Sequence, residues 1–134
     1  MPPQRLPVSL DEFPSPNSLA LVILCVDDEE RLLALRKIVL EEAGYKVYTA
    51  TTVEQGLEIC RDRHVHLILT DHQLKIGSGR DLALRVRRFN HGVPVAIYSA
   101  LLQKPEDSEY ADAFISKSTG MTDVLVAVAS LLKL

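Results

Sequence analysis

Two apolar runs in this chain each stop abruptly on acid. Leu67-Ile68-Leu69-Thr70 ends on Asp71, and Leu21 to Val26 ends on Asp27-Asp28. Runs of this length without alternating polar residues are strands covered on both faces, the mark of a parallel sheet between two helix layers. Two such strands ending in acid bring three carboxylates to one edge of the sheet. A chain of 134 residues, 47% apolar and 25% charged, has the length and composition to bury that sheet as one domain.

The remaining elements alternate around these two strands. Asp28 suits a helix N-cap, with Glu29 and Glu30 in the first turn. Leu32, Leu35 and Val39 then recur at helical spacing, and Gly44 ends that helix. Tyr45 to Ala50 reads as a shorter, more polar edge strand. Val53, Leu57 and Cys60 mark a second helix, and residues 66–71 form the third strand. Leu82, Val86 and Phe89 mark a third helix after the turn at Gly77 and Gly79. Val93 to Tyr98 is a fourth strand, ended by Ser99-Ala100. Ala113 to Ser116 is a fifth, followed by Lys117. Met121, Leu125, Val128 and Leu132 mark the last helix, while Val124, Leu131 and Leu134 fall away from its main stripe.

Such alternation predicts a flavodoxin-like (βα)5 fold: a doubly wound parallel sheet of strand order 2-1-3-4-5. Pro105 and a poor apolar period between strands four and five predict a fourth helix that is short or irregular. Residues 1–18 hold five of the seven prolines and read as a proline-rich flexible leader, with the domain proper over 19–134. In open sheets of this kind, sites form outside the carboxyl ends of the strands, next to strand one. The residues there are Asp27, Asp28, Asp71, Ser99 and Lys117.

Three adjacent carboxylates stay ionised together only around a cation. Carboxylates, a backbone carbonyl and waters suit Mg²⁺. A lysine and a hydroxyl opposite them supply the charge stabilisation that phosphoryl transfer needs, and Asp71 can itself be the nucleophile.

These residues, in this order and spacing, resemble a response-regulator receiver domain of two-component signalling. The matching features are Asp27-Asp28, Asp71, Gly79 eight residues later, Ser99-Ala100, and Phe114-Ile115-Ser116-Lys117. The resemblance covers about residues 20–134. It implies that Asp71 accepts a phosphoryl group from a histidine kinase or phosphotransfer protein. It implies direct Mg²⁺ ligation by Asp28, Asp71 and the backbone carbonyl of Gln73, with Asp27 acting largely through water. Lys117 would pair with the phosphoryl group, Ser99 would move toward it, and Phe114 would be the switch aromatic that follows.

The chain departs from the family pattern at four places. Ser118 stands where proline usually follows the lysine, so the Lys117–Ser118 bond is expected to be trans. Leu74-Lys75 replaces the common Met-Pro. The span from Ser99 to Lys117 is shorter than usual, which weakens the expectation of a standard homodimer and leaves its geometry uncertain. Gln73 and Leu101 would line the acceptor and affect how water reaches a phosphoryl group.

Other functions find less support. A haloacid-dehalogenase-type phosphatase needs an acid two residues after its nucleophile, where this chain has Gln73. There is no Walker A loop or dinucleotide fingerprint. A net charge of -3 gives no general pull toward nucleic acid or an anionic membrane. Arg85, Arg87 and Arg88 read as a solvated helix face. His64 and His66 share a strand face far from the carboxyl ends, and His72 is expected to face a helix layer. The longest apolar run is too short to span a bilayer. Cys25 and Cys60 lack metal spacing and read as buried thiols of a cytoplasmic protein. The alternative to a phosphoacceptor, and to an enzyme, is a phosphorylation-independent protein-interaction module on the same fold.

Overall fold

Residues 20–133 are described by the structure, a computed structural model. The expected leader over residues 1–18 lies outside the described residues. Five parallel strands form one sheet in the order β2-β1-β3-β4-β5. They are β1 (Val22–Val26), β2 (Lys46–Ala50), β3 (Leu67–Thr70), β4 (Val95–Ser99) and β5 (Ala113–Ser116). Four helices cover them: α1 (Glu30–Glu42), α2 (Val53–Asp62), α3 (Gly79–Val86) and α4 (Met121–Leu131).

Strand alternation divides the interior into two cores. Leu24 and Val26 of β1 face Leu57 of α2 and Leu82 of α3. Ile23 and Cys25 face Leu33 and Leu40 of α1 and Val124 and Val128 of α4. β1 and β3, buried throughout or nearly so, lie at the centre of the sheet, as their uninterrupted apolar runs require.

Several expectations change in the folded chain. No helix forms between β4 and β5: residues 100–112 are irregular, so the fold has four helices rather than five. Pro105 lacks the N–H a helix needs there, and side chains from elsewhere hold the loop instead. Arg87 donates to the Tyr110 carbonyl at 2.6 Å and to Asp112 at 3.1 Å. It is therefore a staple and not part of a solvated basic face. Arg85 pairs with Glu54 and Asp81 on the surface.

The apolar stripe of α1 is rotated from the expected one. Leu33, Arg36 and Leu40 are buried, whereas Leu32 and Leu35 are exposed, Leu35 by 55%. In α4, Val124 is a core residue and not a peripheral one. Phe89 lies past the end of α3 and is exposed. Asp28 does not cap α1; Glu29 holds that position, and its own side chain makes no capping bond. His64 and His66 precede β3, and His66 Nδ1 accepts the Val22 N–H at 2.9 Å. The Lys117–Ser118 bond is trans.

Candidate functional site

Parallel register sets the site. Val26 lies opposite Thr70, so Asp27 and Asp71 leave neighbouring strands side by side. The ladder continues one step beyond each strand: Asp71 N–H donates to the Val26 carbonyl at 3.0 Å, and Asp27 N–H to the Ala50 carbonyl at 3.1 Å. Ser99 lies opposite Ser116 in β5, and Lys117 N–H donates to the Ser99 carbonyl at 2.7 Å. Alternation then turns Asp27, Asp71 and Lys117 toward the layer of α1 and α4, the side faced by Cys25, Leu69 and Ile115.

Lys117 Nζ spans both acids. It donates to Asp27 Oδ2 at 2.7 Å and to Asp71 Oδ2 at 3.1 Å. Burial alone would lower the lysine pKa, but the bond and charge of Asp27, with the charge of Asp71, raise it. Burial alone would raise the pKa of Asp27. Hydrogen bonds from Lys117, the Glu29 N–H and Arg36 outweigh that and hold it below the usual carboxylate value.

The other expected residues occupy the rim. Asp28 Oδ2 accepts the Lys75 N–H at 2.8 Å, tying the end of β1 to the loop after β3. Ser99 is buried, and its hydroxyl accepts the Leu101 N–H at 3.3 Å. Phe114 is partly buried against the core on the α2 and α3 side. Leu101 is exposed.

Gly79 brings α3 against Asp71. A Cβ there would collide with the Asp71 carbonyl oxygen and lie 2.8 Å from Thr70 Cγ2. Gly79 N–H instead donates to the His72 carbonyl at 3.0 Å, and Leu74 N–H to that of Gly77. Gln73 and Ser78 pair across this turn without bonding each other, so the Gln73 carbonyl stands outside the ladder.

The donor set fits a hard cation that keeps much of its water. Asp28, Asp71 and the Gln73 carbonyl are the available oxygens. Asp27 is fully buried, and its oxygens already accept three partners, so it is not offered as a direct ligand. Among the described residues, no three or more His, Cys, Asp or Glu side chains are grouped so as to hold a metal ion by themselves. An all-oxygen donor set of this kind suits Mg²⁺ better than zinc.

Near the site, Arg36 carried no expectation from the sequence, and His72 does not lie where the sequence suggested. Arg36 of α1 is buried beneath Asp27, with Nη2 at 3.1 Å from Asp27 Oδ2 and its guanidinium 4.4 Å from the centre of the Tyr98 ring. His72, next to Asp71 in the chain, faces the β4–β5 loop and not a helix: it bonds Tyr110 Oη at 2.9 Å and Asp107 at 3.0 Å. Arg36 had one signal, its place in the series Leu33-Arg36-Leu40, which runs at helical spacing with one charged member.

Residues 23–129 match the response regulator receiver domain family. The chain belongs to that family.

The phosphate regulon transcriptional regulatory protein PhoB of Pseudomonas aeruginosa is 30% identical over 117 residues, covering 83% of this chain and 51% of PhoB. The autoinducer 1 sensor kinase/phosphatase LuxN of Vibrio campbellii is 30% identical over 83 residues, covering 62% of this chain and 10% of LuxN. This receiver domain thus spans about half of one relative and a small part of the other. Among solved structures, response regulator TrrA of Thermotoga maritima superposes with a TM-score of 0.77 at 27% identity, covering 83% of this chain and 98% of that one. That structure is a complex with Mg²⁺-BeF. A CheY-like receiver domain protein from Methanospirillum hungatei gives 0.78 at 28% identity, covering 85% of this chain and 94% of that one. No helix among the described residues is long and apolar enough to cross a membrane.

Proposed function

We propose that this receiver domain accepts a phosphoryl group on Asp71 from a histidine kinase or phosphotransfer protein, with Mg²⁺, and changes conformation to signal in the cytoplasm. The observation that carries this reading is the pair of hydrogen bonds that Lys117 Nζ donates to Asp27 and Asp71 at the carboxyl ends of β1 and β3. A cation already held at the acceptor is positioned for the phosphoryl oxygens that arrive there.

In the proposed reaction, an Asp71 carboxylate oxygen attacks phosphorus while the bond from phosphorus to the donor nitrogen breaks. The departing imidazole regains a proton from solvent. Mg²⁺ bound by Asp28, Asp71 and the Gln73 carbonyl would neutralise the phosphoryl oxygens. Lys117 balances the remaining charge, Ser99 donates its hydroxyl to a phosphoryl oxygen, and Phe114 follows into the space Ser99 vacates. The relay is then a population shift biased by one local charge event.

Intact-mass spectrometry after incubation with acetyl phosphate and Mg²⁺ tests the acceptor. Wild type is expected to gain one phosphoryl group and Asp71→Asn none. A folded wild type that gains nothing overturns the reading. The helix-less 100–112 segment favours the second reading, a phosphorylation-independent interaction module, which then takes precedence.

A further inference from the structure

The acidic pocket holds an arginine for which the phosphoacceptor chemistry described above gives no reason. Arg36 is only 2% exposed, yet its Nε and Nη1 have no hydrogen-bond partner among the described residues. Burying a guanidinium so poorly satisfied is costly, and an apolar side chain of similar volume would often serve the fold as well or better. Its hydrogen bond goes to Asp27 Oδ2, the oxygen that also holds Lys117, and the Tyr98 ring supports its face. Three carboxylates, Asp27, Asp28 and Asp71, are thereby balanced by two protein cations, Lys117 and Arg36.

We propose that Arg36 is a positioning residue: a standing counter-ion that keeps Asp27 compensated when Lys117 leaves it for a phosphoryl group on Asp71. This rests on the phosphoacceptor reading above. Lys117 cannot serve Asp27 and a new dianionic group equally. Asp27 is fully buried, and withdrawing its lysine without a substitute would strand a charge in the interior. Arg36 approaches Asp27 from α1 and has no competing hydrogen-bonded carboxylate among the described residues. It can therefore stay when Lys117 moves. The same positive charge opposes a divalent cation in the pocket, so Arg36 trades metal affinity for mobility of the lysine.

Two effects of opposite sign follow from removing the charge. In Arg36→Met, Mg²⁺ binding, followed by amide shifts in an NMR titration, is expected to tighten by about fivefold. Binding of beryllofluoride at saturating Mg²⁺ is expected to weaken by about tenfold, because Asp27 now retains Lys117. Arg36→Lys restores the charge and is expected to return both values toward wild type. Arg36→Gln, which keeps a donor without the charge, repeats the measurement should the methionine variant not fold. Mg²⁺ and beryllofluoride binding that are both unchanged, or both weakened together, overturn the proposal, since a merely structural role moves them in one direction. A wild type that binds Mg²⁺ but no beryllofluoride overturns the phosphoacceptor reading and this one with it. A neutral variant that binds beryllofluoride as well as wild type overturns this one alone.

Discussion

At the scale of single residues, the site is a balance of burial against pairing. Burial would raise the Asp27 pKa, but Lys117, the Glu29 N–H and Arg36 depress it. A depressed carboxylate stabilises the fold fully above its unfolded value, near 3.9, and loses that contribution as pH falls through the folded value. Lys117 is shifted upward, so its contribution is full below about 10.5 and is lost as pH rises through its folded value. Stability from this pair therefore forms a plateau across neutral pH. Denaturant melts of Asp27→Asn are expected to show a flatter acid limb than wild type below about pH 4. Gly79 is the second residue-scale constraint, because a methyl group there meets backbone and not a flexible side chain. Gly79→Ala is expected to cost more than about 2 kcal/mol in equilibrium unfolding, and to slow phosphoryl uptake by shifting Asp71.

At the scale of elements, α1 and the β4–β5 connection differ most from what their sequences suggested. In α1, Leu32, Leu35 and Val39 give an apolar series as good as the buried one, and the sheet selects Leu33 and Leu40. Arg36 lies on the same inward face, where it reaches Asp27. Leu33→Ala is expected to cost about 2–4 kcal/mol, and Leu35→Ser less than about 0.5 kcal/mol, in the same denaturant melts. The β4–β5 connection has no helix of its own. His72, Arg87 and Asp112 hold it by bonds to Tyr110, Asp107 and the Val95 N–H, contacts made by residues remote in sequence. Leu101 and Leu102 stand exposed on it, Leu102 by 77%.

At the scale of the whole molecule, the sheet separates two cores, and each encloses one free thiol. Cys25 lies in the core beneath α1 and α4, and Cys60 in the core beneath α2 and α3. Burial pushes the Cys25 thiol up to about 12, partly offset by the Arg36 charge, and the Cys60 thiol up to about 11. Both are buried, Cys25 completely and Cys60 to within 9% exposure, and the upward shifts keep both protonated at neutral pH. Iodoacetamide at pH 8 is expected to leave both unmodified in native protein, and to label both with the same dependence on denaturant as global unfolding. Labelling of Cys60 alone at low denaturant would reveal that the α2 and α3 layer opens separately.

Much of the fold and the site was legible because it rests on local pattern. Uninterrupted apolar runs identified the central strands, and the β/α alternation gave the strand order. The acids, serine and lysine at strand ends then met at one edge, because parallel strands share one carboxyl side. What the tertiary structure alone decided concerns polar groups whose partners lie far along the chain. Helical periodicity reads an arginine as surface, so Arg36 is explained only by the buried Asp27 that it pairs with. Arg87 resembles its neighbours Arg85 and Arg88 until the Tyr110 carbonyl comes within reach. A sequence records which residues are apolar and how they are spaced. Where a charge is buried, the outcome depends on a counter-charge that only folding brings close enough to offset the loss of water.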